Sequence, residues 1–96
     1  MMTHKLRCWP EHFNRVMSGK KPFEIRKNDR FFQAGDHVVL LEFEPEARHI
    51  KTSGRYTGRQ ITMVITCVDD FHQMPGVVVL GISDPRTMES NTNGHS

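Results

Sequence analysis

"HKLRCWPEHFNRVMSGKKPFEIR" (residues 4–26) changes its hydrophobic period twice, and the two changes set the fold. Residues 4–9 alternate, with Leu6 and Cys8 on one side and Lys5 and Arg7 on the other, which predicts a strand. Pro10 then stands where a helix tolerates it best, with Glu11 next to the positive end of the helix dipole. Trp9, Phe13, Val16 and Met17 recur at helical spacing, and Gly19 suits the left-handed residue that ends a helix. A helix of about two turns is too short to stand alone, so it must pack on a sheet. "PFEIRK" returns to alternation: Glu24 and Arg26 face one way, while Phe23 and Ile25 are expected to anchor the strand from behind.

Outward from that block, "NDRFFQAGD" supplies turn residues and Gly35-Asp36 a sharp local break. "HVVLLEFE" (37–44) is apolar on both faces at its start, which predicts an interior strand. "PEARHIKTSGRYTG" (45–58) reads as a long polar loop, bordered by Arg48, Lys51, Arg55 and Arg59. "RQITMVITCVDD" (59–70) predicts a fourth strand with Ile61, Met63, Ile65 and Cys67 on one face. After a turn at "FHQMPG", "VVVLGI" (77–82) predicts a fifth. Strands joined mainly by turns give an α+β domain over residues 1–83. It is expected as a small, mostly antiparallel β-barrel of about five strands with one or two short helices. Residues 84–96 have almost no apolar content and are expected to be a disordered tail.

A chain of 96 residues supports one modest core. No apolar run approaches the roughly 20 residues that span a bilayer, and the N-terminus lacks the apolar centre of a signal peptide. The expectation is a cytoplasmic monomer with no membrane partner. Cys8 and Cys67 lack CxxC spacing and read as two reduced, buried side chains. The net charge of +2 hides an asymmetry: residues 1–30 carry +5 and residues 31–96 carry −3. Positive charge gathered in this way can attract a phosphate-bearing partner. The six His are scattered, and "DDFH" (69–72) is not read as a metal site; no metal and no cofactor are expected.

Gly19, Lys21, Glu24 and Arg26 fit the pattern Gly-x-Lys-x-x-Glu-x-Arg, followed by "GD" ahead of a strand. Together with the "YTGR" stretch and the closing "VVVLGI", this resembles an ASCH domain of the PUA-like superfamily. The likeness is strongest to its short uncharacterised members from bacteria and phages, and it covers roughly residues 4–82. The resemblance implies a small β-barrel that binds RNA. Some small bacterial members are enzymes, cutting RNA or hydrolysing acetylated cytidine nucleosides with a Lys and a Thr from this motif and a later Glu. Lys21 matches that Lys; Glu24 stands where the Thr would be, and the later Glu has no clear counterpart.

Read as chemistry, Glu24 and Arg26 on one strand face lie roughly 7 Å apart. A carboxylate flanked by two cations suits accepting hydrogen bonds from a base edge better than general-acid work. Lys21, Glu24 and Arg26 are therefore the expected ligand-facing set, with Lys20, Lys27 and Arg30 as surrounding phosphate contacts. Arg48, Lys51, Arg55 and Arg59 are expected on the opposite wall of a cleft, with Tyr56 able to stack on a base. Trp9 reads as core. The leading expectation is a module binding RNA or a nucleotide-like ligand. The alternatives are a small hydrolase using Lys21 and Glu24, acting on RNA or modified nucleosides, and a protein-interaction adaptor.

Overall fold

A computed structural model describes residues 1–47, 50–70 and 73–85. The elements in chain order are β1 (Thr3–Cys8), α1 (Pro10–Met17), β2 (Phe23–Lys27), β3 (His37–Ala47), β4 (Ile50–Asp69) and β5 (Val77–Ser83). They form one five-stranded mixed sheet in the order β1-β3-β4-β5-β2. β1 runs parallel to β3; the other three neighbouring pairs are antiparallel. β1 and β2 are the two edges, so the sheet is open where a barrel was expected. Those edges nevertheless approach within side-chain reach. Arg26 on β2 donates to the Arg7 carbonyl of β1, and Arg30 just beyond donates to the Lys5 carbonyl at 3.2 Å. The expected tail lies outside the described residues from position 86 onward.

The core follows the alternation of each strand. Leu6 and Cys8 of β1, Val38 and Leu40 of β3, Met63 and Ile65 of β4, and Val78, Leu80 and Ile82 of β5 close around Phe13 and Val16 of the helix. Burying such side chains contributes roughly 1.5–3 kcal/mol each and offsets the ordering cost of a small domain. Trp9 is the N-cap of α1, with extended backbone (φ −65°, ψ 152°) because the following Pro10 disfavours helical geometry there. The helix ends at Gly19, whose φ of +79° lets the Lys20 and Lys21 amides turn back onto the Arg15 carbonyl at 3.0 and 3.1 Å.

Two expectations fail at irregular positions in β4. Residues 45–58 are not a loop: 45–47 continue β3 and 50–58 begin β4, with only 48 and 49 between the strands, outside the described residues. Cys67 is exposed rather than buried, because one extra residue sits between the pairs Ile65↔Ile82 and Cys67↔Gly81. That bulge flips the face of every later residue. A glycine gives room opposite it: a Cβ on Gly81 would lie 2.7 Å from Cys67 Sγ and from Thr66 Oγ1, so those side chains would have to shift.

Gly35-Asp36 is a clasp as well as a turn. The buried Asp36 carboxylate accepts from the Met2 amide at 3.0 Å, from His4 Nε2 at 2.9 Å and from the Gln33 amide at 3.2 Å. The His4 bond, then the Met2 amide, holds the Asp36 pKa below its ordinary 3.8. A carboxyl lowered on folding contributes stability that is complete above its unfolded pKa and is lost as pH falls through the folded value. Asp36→Asn is therefore expected to melt at a lower temperature than wild type at pH 7, and the gap is expected to narrow below about pH 3.8. A gap that stays constant down to pH 3 in thermal melts counts against this role.

Candidate functional site

The gap between β1 and β2 is where the site lies. An open cleft of about 540 Å³ is lined by Arg7, Cys8 and Trp9 from the end of β1, His12 from α1, and Lys21, Glu24, Ile25 and Arg26 on the β2 side. Each side chain is delivered by a local rule. Trp9 stands outside the helix it caps. Lys21 is aimed by the Gly19 turn. Glu24 and Arg26 point inward because they pair with Leu80 and Val78, whose own alternation puts them in the core. Phe23 and Ile25 consequently face outward, Ile25 at 53% exposure, and do not anchor the strand from behind.

Glu24 is the centre of the cleft's electrostatics. It is only 3% exposed. Its Oε2 accepts from Arg26 Nε at 2.9 Å, and its Oε1 lies 3.6 Å from Lys21 Nζ. Oε1 is buried and has no hydrogen-bond partner among the described residues. Lys21 Nζ, 3.6 Å away, offsets the charge of Oε1 but stands beyond hydrogen-bond distance, so this oxygen remains an acceptor able to take a donor. Lys21 Nζ in turn donates to His12 Nδ1 at 3.4 Å and stands 5.6 Å from the Phe23 ring centroid.

Cys8 also lines the cleft, but its thiol is no nucleophile. Burial, followed by the nearby Glu24 charge, pushes its pKa up to about 11 against the opposing pull of Arg26 and Lys21. At neutral pH it stays a neutral thiol. Among the described residues, no Ser or Thr hydroxyl lines the cleft.

Behind Cys8 lies a second polar cluster that the sequence reading passed over. Glu42, the register partner of Cys8 on β3, is buried. β3 advances two residues from Leu41 to Phe43 while β4 passes from Gln60 to Tyr56, so Thr57, Gly58 and Arg59 all crowd against Glu42. Thr57 Oγ1 donates to Glu42 at 2.6 Å, and Arg59 donates twice, at 2.9 and 3.0 Å. Arg59, with Thr57 second, holds the Glu42 pKa below its ordinary value. Arg59 also reaches α1, donating to Asn14 Oδ1 at 2.7 Å and covering the Phe13 ring at 4.9 Å. The "YTGR" stretch is thus a bulge folded round a buried carboxylate.

Residues 3–82 match the family described as "Domain of unknown function (DUF3850)". The chain belongs to that family. The match runs from β1 to β5 and includes every residue of the cleft. The chain is also similar to the "Uncharacterized 12.9 kDa protein in GpA 3'region" of Escherichia phage P2, with 34% identity over 67 residues. That alignment covers 70% of this chain and 54% of the phage protein, so the chain spans about half the length of that relative.

In this DUF3850 chain the sequence-predicted residues fall into three groups. Lys21, Glu24 and Arg26 converge on the cleft. Lys20 and Lys27 are exposed outside its lining, and Arg30 pairs with Asp29 at 3.4 Å. The expected opposite wall divides: Arg59 turns to Glu42, and Arg55 pairs with Glu44 at 2.9 Å beside a separate hollow in the hairpin. Tyr56 connects to the cleft, since its hydroxyl accepts from Arg7 Nε at 2.9 Å. The Arg48, Lys51 and His72 side chains lie outside the described residues. No helix among the described residues is long and apolar enough to cross a membrane, and no three His, Cys, Asp or Glu side chains among them group as metal ligands.

Proposed function

We propose that this protein binds RNA or a nucleotide-like ligand in the cleft between β1 and β2. The observation that carries the reading is Glu24 Oε1, a buried acceptor without a hydrogen-bond donor, set in a cleft whose lining also holds Arg7, Lys21, Arg26, His12 and the Trp9 indole beside the apolar Cys8 and Ile25. A base supplies what that lining lacks: an N–H or exocyclic amine for Glu24 and a π-face for Trp9. Its phosphate supplies charge for Lys21 and Arg7. The likeness of Gly19, Lys21, Glu24 and Arg26 to the ASCH pattern supports the same reading, as does the +5 charge of residues 1–30. Arg26 serves chiefly to hold the cleft, since its guanidinium joins Glu24 to the β1 backbone.

A salt titration of binding to short single-stranded RNA tests the proposal. Lys21→Ala is expected to weaken binding about tenfold at low salt, and to reduce the salt slope by about 0.7 if Lys21 meets a phosphate. Lys27→Ala, outside the cleft, is the comparison. No affinity at low salt, or affinity indifferent to Lys21→Ala, defeats the reading.

A second reading, RNA cleavage, has one observation in its favour: His12 Nδ1 sits beside Lys21 Nζ in the cleft. Attack by the RNA's own 2′-hydroxyl needs a base and an acid but no protein nucleophile, which suits a lining without hydroxyls. The same incubations, run on a gel, decide it: cleavage lost with His12→Ala supports it, and intact RNA rejects it.

A further inference from the structure

We infer that the ligand is a single strand of at least two nucleotides, one in the cleft and the next on a second stacking station built from Arg7, Phe43 and Tyr56. This rests on the nucleotide-binding reading above and specifies the class of ligand. Tyr56 is 51% exposed, yet its ring is held from several sides. Its hydroxyl accepts from Arg7 Nε at 2.9 Å. Its ring meets the buried Phe43 edge-on, with centroids 5.0 Å apart at 69°. The Arg7 guanidinium lies 4.5 Å from the Phe43 centroid and 5.7 Å from that of Tyr56. An exposed tyrosine usually loses rotamer freedom when it binds; here that cost is already met by the fold, which is what a stacking surface requires.

Arg7 ties this station to the cleft. It lines the cleft, its carbonyl receives the Arg26 guanidinium, and its side chain fixes Tyr56. Arg7 sits on β1 and Tyr56 on β4, with β3 between them. Their strand backbones are two inter-strand spacings apart, about 10 Å, which leaves the Tyr56 ring within reach of a nucleotide next to one in the cleft. The neighbouring cations are not arranged as phosphate clamps, because Glu44 pairs with Arg55 and Glu42 with Arg59. The Tyr56 ring therefore works by stacking, and its own contribution is insensitive to salt.

The experiment compares ribonucleoside monophosphates with a mixed-sequence single-stranded hexaribonucleotide, on wild type, Tyr56→Ala and Tyr56→Phe, with thermal melts confirming folding. Tyr56→Ala is expected to weaken hexamer binding by about five- to a hundredfold, with a much smaller effect on the monophosphates, which meet this station only through Arg7. Tyr56→Phe, which keeps the ring, is expected to retain most of the affinity. If monophosphates bind in a Lys21-dependent way but the hexamer binds no tighter, or Tyr56→Ala matches wild type, the second station is wrong and the cleft reading stands. If neither probe binds, both fall.

Discussion

Phe13→Ala is expected to lower the stability of the domain by about 3–5 kcal/mol, the usual cost of removing a fully buried phenyl group. Phe13 has no exposed surface and belongs to the cluster that joins α1 to the sheet. The helix has eight residues, too few to persist without that contact. The Arg59 guanidinium also lies over the ring at 4.9 Å, so truncation opens a cavity beneath a cation that is tied to Glu42. Total stability for a chain of this size is roughly 5–14 kcal/mol, and the loss corresponds to a fall in melting temperature on the order of 15–30 °C. Trp9 and His12 approach the cleft from the start of this helix, so the ligand binding proposed for the cleft is expected to fail with it. Phe13→Leu, which keeps most of the volume, is expected to cost less than about 1.5 kcal/mol and to keep binding. Urea melts measure both. A loss below about 1 kcal/mol for the alanine variant means that α1 is held by something other than this ring.

Strand periodicity made much of this architecture readable. Alternation located β1, β2 and β5 nearly to the residue, and Pro10 and Gly19 bracketed the helix. What alternation alone cannot supply is which face of a short strand looks inward. In β2 the apolar pair Phe23 and Ile25 suggested one answer, but the register with Leu80 and Val78 of β5 imposes the other. That is why a carboxylate, and not a phenyl ring, faces the core side and makes the cleft. The same parity could have revealed Glu42, two residues beyond Leu40 on the inward face of β3. Bulges were the harder loss. Thr57 and Gly58 read as a loop because the segment is polar, yet with Arg59 they belong to a strand distorted by the need to surround Glu42. Cys67 changed face because of one extra residue that no local pattern marks. The motif residues were legible as a group; the cleft was not, since Arg7, Cys8, Trp9 and His12 join it only through the approach of two sheet edges.

Glu24→Gln is expected to separate two quantities that usually change together, overall affinity and discrimination between bases. The side chain keeps its size, and its carbonyl oxygen can still accept from Arg26 Nε, so that end of the pair is retained. The other end then becomes an NH₂ group, a donor where Oε1 was an acceptor, facing Lys21 Nζ across the 3.6 Å that now separates Glu24 from it. A ligand N–H that would meet an acceptor meets a donor instead. The affinity ratio between the best and worst of the four ribonucleoside monophosphates should therefore shrink by about ten- to a hundredfold. Removing a negative charge from a cleft already carrying Arg7, Lys21 and Arg26 acts in the opposite direction on the phosphate term. Binding to mixed-sequence RNA at low salt should then hold or strengthen, with a salt slope no smaller than in wild type. Loss of all binding in parallel with loss of the folded melt assigns Glu24 to structure alone. An unchanged base preference in a folded variant removes Oε1 from recognition and leaves the cleft a site for phosphate only.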